Sequence, residues 1–160
     1  CIYRIGMRNL IPLLVLVGFG ARLSAIDLKV HRLPNQLVAW FTAIQLATLI
    51  ALSLDDFNEL KTPLLVAIET TAIYIILFML SRGSLGMGDV KFAFPLGFTV
   101  GWYAPDLWLM AIFSSFLCAG VVALIGIAAK RITRNSPIAF GPYMFLGSLF
   151  VIAFSVLSHW

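Results

Sequence analysis

Apolar residues run through this chain in long blocks with short polar stretches between them, and neither a two-residue nor a narrow helical alternation interrupts the blocks. Six blocks stand out at residues 10–26, 36–54, 63–80, 90–103, 107–129 and 141–157. A helix of ~20 apolar residues crosses the ~30 Å hydrocarbon core of a bilayer. The blocks therefore predict an all-α polytopic membrane protein, with about six transmembrane helices in one bundle and residues 1–160 as a single membrane domain. Pro63 suits the first turn of its helix. The fourth block is short, and Pro95 and Gly97 are expected to break it. The first block is expected to be a retained helix, because no small-residue cleavage site accompanies it.

Composition agrees with the pattern. The 160 residues are 61% hydrophobic and 11% charged, where soluble domains carry about 25% charged residues. The net charge of +4 does not form a basic stripe interleaved with aromatics, so no nucleic-acid partner is expected. Its distribution instead indicates topology. Lys29, Arg32, Arg82, Lys91, Lys130, Arg131 and Arg134 fall in alternate loops, whereas the intervening loops hold Lys61 and the acids Asp55, Asp56, Glu59 and Asp106. The basic loops are expected on the cytoplasmic side; Arg4 and Arg8 run against that assignment. Trp40, Trp102, Trp108 and Trp160 are read as an aromatic belt, Tyr143 as an interfacial anchor, and Cys118 as a small packing residue. Cys1 and Cys118 have no ligand spacing, so no metal or cofactor is expected.

Three acids remain after the solvated ones are set aside: Asp27, Glu69 and Asp89. Ionisable groups at membrane depth cost ~2.5–3.5 kcal/mol on insertion scales and mark functional sites by default. Glu69 lies mid-block and reads as a helix-holding group, with Gln45 as its candidate partner. Asp27 ends the first block and Asp89 opens the fourth, which puts both at the same membrane face. Two facing carboxyl groups share one proton. The ionised member can then take a proton from water while the protonated one polarises a peptide carbonyl. Each aspartate also has a plainer role: Asp89 as a helix N-cap, and Asp27 as an interfacial partner of Lys29 or Arg22.

The segment around Asp89 reads Gly83-Ser-Leu-Gly-Met-Gly-Asp-Val-Lys91. Gly86 and Gly88 allow a partner helix or a substrate backbone to come close. Lys91 can snorkel to headgroups or act on the nearby carboxylate. Asp27-Leu-Lys-Val-His-Arg-Leu-Pro-Asn35 places a basic stretch with His31 after the other aspartate, and Pro34-Asn35 starts the next helix. Pro137-Ile-Ala-Phe-Gly-Pro-Tyr143 precedes the last block.

These three segments, in this order, resemble the type IV prepilin peptidase family of GxGD aspartyl proteases. The resemblance implies catalytic roles for Asp27 and Asp89; by their size, charge and place beside Asp89, Gly86, Gly88 and Lys91 are the candidates for backbone support or substrate contacts. It also implies a prepilin-like protein substrate whose basic leader is cut before its apolar helix, at the cytoplasmic face of a prokaryotic inner membrane. The chain looks like a short form, without the Cys-x-x-Cys region of members that also methylate the pilin. Presenilin-like proteases also use GxGD, but pair it with Tyr-Asp and Pro-Ala-Leu; here Ile26 precedes Asp27 and Pro-Ala-Leu is missing. The competing class is a small proton-coupled transporter or a pilus or secretion assembly scaffold, which would use the same acids in a relay.

Overall fold

The computed structural model describes residues 7–81, 85–130 and 139–158, with side chains from Leu10 onward. Gly83, Arg82, Arg131, Arg134, Pro137, Trp160 and Arg4 lie outside the described residues, as does the side chain of Arg8. All regular structure among the described residues is helical: α1 Met7–Val30, α2 Asn35–Leu52, α3 Lys61–Leu80, α4 Met87–Tyr103, α5 Trp108–Ala128 and α6 Gly141–Ser158. Short 3₁₀ turns at Phe57–Leu60 and Pro105–Leu107 lead into α3 and α5. All of these helices except α4 are long and apolar enough to cross a membrane. This is an all-α, multi-pass membrane architecture.

Helix ends explain where the observed elements differ from the expected ones. The first helix runs past Asp27 to Val30, because His31 closes it in the left-handed conformation (φ 54°) and donates its N–H to the Asp27 carbonyl at 2.8 Å. Histidine is one of the residues that adopts this conformation more readily than most. The fourth helix starts at Met87, so Asp89 lies in its first turn. It is also continuous through Pro95 and Gly97. Proline in a membrane helix is tolerated where the surroundings are protein, and α4 is buried around Pro95.

Gly97 is a contact and not a break. A Cβ there would lie 2.8 Å from Thr70 and 3.1 Å from the Ala67 Cα, and one at Gly101 would lie 2.7 Å from the Pro63 Cα. This Gly-x-x-x-Gly spacing lets α4 seat directly on α3, the closest helix pair in the fold, in the manner of small-residue membrane interfaces. At 17 residues, α4 spans only ~25 Å. It is buried along nearly its whole length by α2, α3 and α6. The second tight pair is α5 with α6, where Gly147 meets Ser115 and the Ala111 carbonyl.

A buried glutamine fastens the middle of the bundle. Gln45 of α2 is fully buried, and its Nε2 donates to Thr99 Oγ1 of α4 at 2.7 Å and to the Pro12 carbonyl of α1 at 3.4 Å. The expected Gln45–Glu69 pair is therefore replaced by a link between α1 and α4; Glu69 is half-buried on α3. Two further expectations are reversed. Trp102 is a core residue at 4% exposure and Cys118 faces outward, while Trp108 is half-buried. Lipid and protein interior are both apolar, so hydropathy could not sort these residues.

Gly101→Leu is expected to force α3 and α4 apart and destabilise the protein by about 1–3 kcal/mol, the usual cost of overpacking. Gly120 has nothing within 4 Å of its Cβ position, so Gly120→Leu should leave stability unchanged. Thermal unfolding of both variants in detergent checks the contrast.

Candidate active site

The alternating helices bring the C-terminus of α1 and the N-termini of α2, α4 and α6 to one end of the bundle. Asp27 and Asp89 both lie there and both are buried, at 4% and 8% exposure. Glu69 and the four acids of the opposite loops do not join them. The acids at Asp55, Asp56, Glu59 and Asp106 are exposed, and Asp56 accepts the Asn58 N–H at 2.9 Å. That bond, with a second from the Asn58 side chain, holds the Asp56 carboxyl below its usual value.

Each buried carboxylate is met by a backbone N–H at a helix start. Asp27 Oδ2 accepts the N–H of Gly141, the first residue of α6, at 2.9 Å. Asp89 Oδ2 accepts the N–H of Gly86, the residue that precedes α4, at 3.2 Å, and the Asp89 N–H returns to the Gly86 carbonyl at 3.1 Å. Helix starts carry orphan N–H groups and the positive end of the helix dipole, so they favour negative charge. Asp27 thus takes a backbone donor from another helix and not Lys29 or Arg22, both of which are exposed. Asp89 is an N-cap partner as well as a candidate acid. The charge on Asp27 acts on the Asp89 carboxyl group, and His31 acts on Asp27.

Leu33, which sequence reasoning missed, packs the two halves of the site together. It lies in the short loop between α1 and α2 and is buried. A Cβ at Gly88 would fall 3.0 Å from the Leu33 Cβ. One at Gly141 would fall 2.9 Å from Asp27 Oδ2 and 3.4 Å from Leu33 Cδ2. Side-chain volume at either glycine would therefore collide with Leu33 or with the acid. Gly86 adopts φ −74° and ψ 142°, open to any residue, but its Cβ would sit 3.1 Å from Asp89 Oδ2. Lys91 is exposed and donates to the Asn35 side chain at 3.0 Å, tying α4 to the start of α2. Only Gly141 among the newly found residues had a cue in the sequence, its place in the Phe-Gly-Pro-Tyr segment. Leu33 lies inside the Asp27–Asn35 segment, but nothing in that segment shows that it packs on α4.

This assembly predicts a cross-link. With Cys1 and Cys118 replaced by serine, Leu33→Cys combined with Gly88→Cys should form a disulfide under mild oxidant, because a small outward shift from the 3.0 Å approach brings the two Cβ atoms into the ~3.5–4.5 Å range of bridged cysteines. Leu33→Cys combined with Gly120→Cys should not. Maleimide labelling after oxidation reads the difference; equal labelling of the two pairs would contradict the packing of Leu33 on Gly88.

Comparison with known proteins points the same way as this geometry. Residues 14–125, which include both aspartates, match the type IV leader peptidase family. A prepilin leader peptidase/N-methyltransferase of Pectobacterium carotovorum is 32% identical over 86% of this chain and 49% of its own length. The protein of that name from Dickeya chrysanthemi is 29% identical over 94% of this chain and 53% of its own, and that of Bacillus subtilis 22% over 88% and 54%. The chain spans about half the length of these relatives. No solved structure matches it. By the family match over most of its length, the chain belongs to the type IV leader peptidase family.

Proposed function

We propose that the chain is an aspartyl endopeptidase that removes the basic leader of a prepilin-like protein at the cytoplasmic face of a prokaryotic inner membrane. The observation that carries this reading is the pair of buried carboxylates, Asp27 and Asp89, gathered at one end of an apolar bundle with each other's charge in reach. The names of the relatives supply the substrate class. The distribution of base supports the membrane face: Lys29, Arg32, Lys91 and Lys130 flank the end that holds the acids, against Lys61 at the other end.

The pair works as one acid and one base. The ionised carboxylate removes a proton from water as the water oxygen bonds to the scissile carbonyl carbon, and the protonated one gives its proton to the carbonyl oxygen. Collapse of this tetrahedral species breaks the C–N bond, and a carboxyl proton goes to the departing amine. The N–H groups of Gly86 and Gly141 hold the two carboxylates in place through these transfers. The reading covers cleavage only, since acid–base work on water supplies no methyl group. A substrate helix lying in lipid against the bundle brings its leader junction to this end without being drawn to the bilayer centre. A relay for proton-coupled transport would place its acids near the midplane, whereas these two sit at helix ends.

Purified protein with a prepilin-like peptide tests the proposal. Asp27→Asn and Asp89→Asn should each lower the cleavage rate by about 100-fold or more, the scale of lost acid–base catalysis, with the proteins still folded. Cleavage unaffected by either change would refute the mechanism. Lys91→Glu should raise KM about tenfold at low salt and less at high salt if cationic groups at this end steer an acidic stretch of the substrate.

A further inference from the structure

One buried titratable side chain beneath the aspartates has no part in the mechanism above. Tyr74 of α3 is 2% exposed in the interior of a membrane bundle. Phenylalanine or leucine would fill the same space without a hydroxyl to desolvate, and burying an unpaired hydroxyl is costly. The register of α3 on α4 locates it. Gly101 faces Pro63 and Val66, and Gly97 faces Ala67 and Thr70. One further turn sets Ala93 against Tyr74, and both line the same small cavity between α3, α4, α5 and α6. Ala93 is one turn from Asp89 on the same helix face, so Tyr74 forms the floor below the acids. The charge on Asp89 reaches its hydroxyl.

The contacts of Tyr74 lead to Asp27 as well. Its ring lies 6.0 Å from the ring of Phe116 on α5, stacked at 22°, and 6.3 Å from that of Phe140, tilted at 57°. Phe116 and Phe140 are themselves 4.7 Å apart. Phe140 is the residue from which α6 starts: its carbonyl accepts the N–H groups of Tyr143 at 3.0 Å and Met144 at 3.2 Å. Its neighbour Gly141 donates to Asp27. Ser115 of α5 lines the same cavity as Tyr74, and its Oγ donates to the Ala111 carbonyl at 2.7 Å. The ring stacked on Phe116 and the hydroxyl beside Ser115 both set the tyrosine against α5.

We propose that Tyr74 is a positioning residue for the aspartate pair: its ring, stacked on Phe116 of α5, holds Phe140 and thereby keeps the Gly141 N–H aligned on Asp27. The role rests on the peptidase reading above, in which Asp27 is one of the two working acids. The ring carries the positioning and the hydroxyl steadies the ring. Loss of the ring should lower turnover without weakening substrate binding, because no atom of Tyr74 need touch the substrate.

The test measures kcat and KM per folded protein, with Asp27→Asn as the inactive control. Tyr74→Leu should lower kcat about 30-fold with KM within about twofold, well inside the loss that small misplacements of catalytic groups bring. Phe140→Leu should lower kcat similarly, and the two together no further, since residues in one chain of contacts are not additive. Tyr74→Phe and Ser115→Ala keep the ring, and each should lose only about threefold, again without adding. Turnover within twofold of wild type in Tyr74→Leu, or full additivity with Phe140→Leu, overturns the proposal while leaving the aspartate mechanism intact. If Tyr74→Leu does not fold, Phe140→Leu with Tyr74→Phe decides by the same criteria. A wild-type protein that cuts no peptide overturns both.

Discussion

A carboxylate inside an apolar bundle is tolerable only where donors meet it, and here the donors are N–H groups at the starts of two helices. That constraint organises the end of the bundle that holds the acids. Asp89 and Gly86 close the first turn of α4 on themselves, so the acid and the helix start stabilise each other. Asp27 has no such local solution, because it lies near the C-terminus of its own helix, where the dipole disfavours negative charge. It takes the first N–H of α6 from the far end of the chain. The placement of α6 is thus coupled to the charge on α1, and the aromatic group of Tyr74, Phe116 and Phe140 supports that coupling from below.

The two acid-bearing helices are joined at two depths. Near the site, Leu33 lies against Gly88 of α4 and close to the Asp27–Gly141 contact. In the interior, Gln45 bonds to the Pro12 carbonyl of α1 and to Thr99 of α4. Two separated links restrain tilt as well as distance, and the glycine ridge of α4 on α3 fixes the remaining direction. The proposed acid–base mechanism requires this, since its two members must stay in line with the reacting atoms through several proton transfers.

Much of the fold was legible because membrane helices are marked by length and hydropathy, which are local properties. Asp27 and Asp89 were legible because charge is rare in such a chain and because topology puts both at one face. Helix ends were less so: the extension of α1 to Val30 depends on His31 turning left-handed, and α4 survives Pro95 because its neighbours bury it. Which apolar residues face lipid and which face protein could not be read, as Trp102 and Cys118 show, because both surroundings reward the same chemistry. Leu33 and Tyr74 escaped for a related reason. Their roles lie in contacts with residues distant in sequence, which the residues around them do not specify.

The glycines beside Asp89 acquire a different meaning from the one their composition suggests. A glycine-rich stretch before a helix invites an explanation by flexibility, yet Gly86 sits in ordinary extended backbone. What sets these two positions apart is the space a side chain would take. At Gly86 it would press on the carboxylate that caps the helix; at Gly88 it would press on Leu33. The first glycine leaves room for the acid to turn back on its own helix start, and the second lets the loop after Asp27 reach α4. Both demands arise in the protein without substrate. The Gly-x-Gly-Asp spacing is therefore explained by assembly of the aspartate pair itself, before any approach of a peptide backbone is considered.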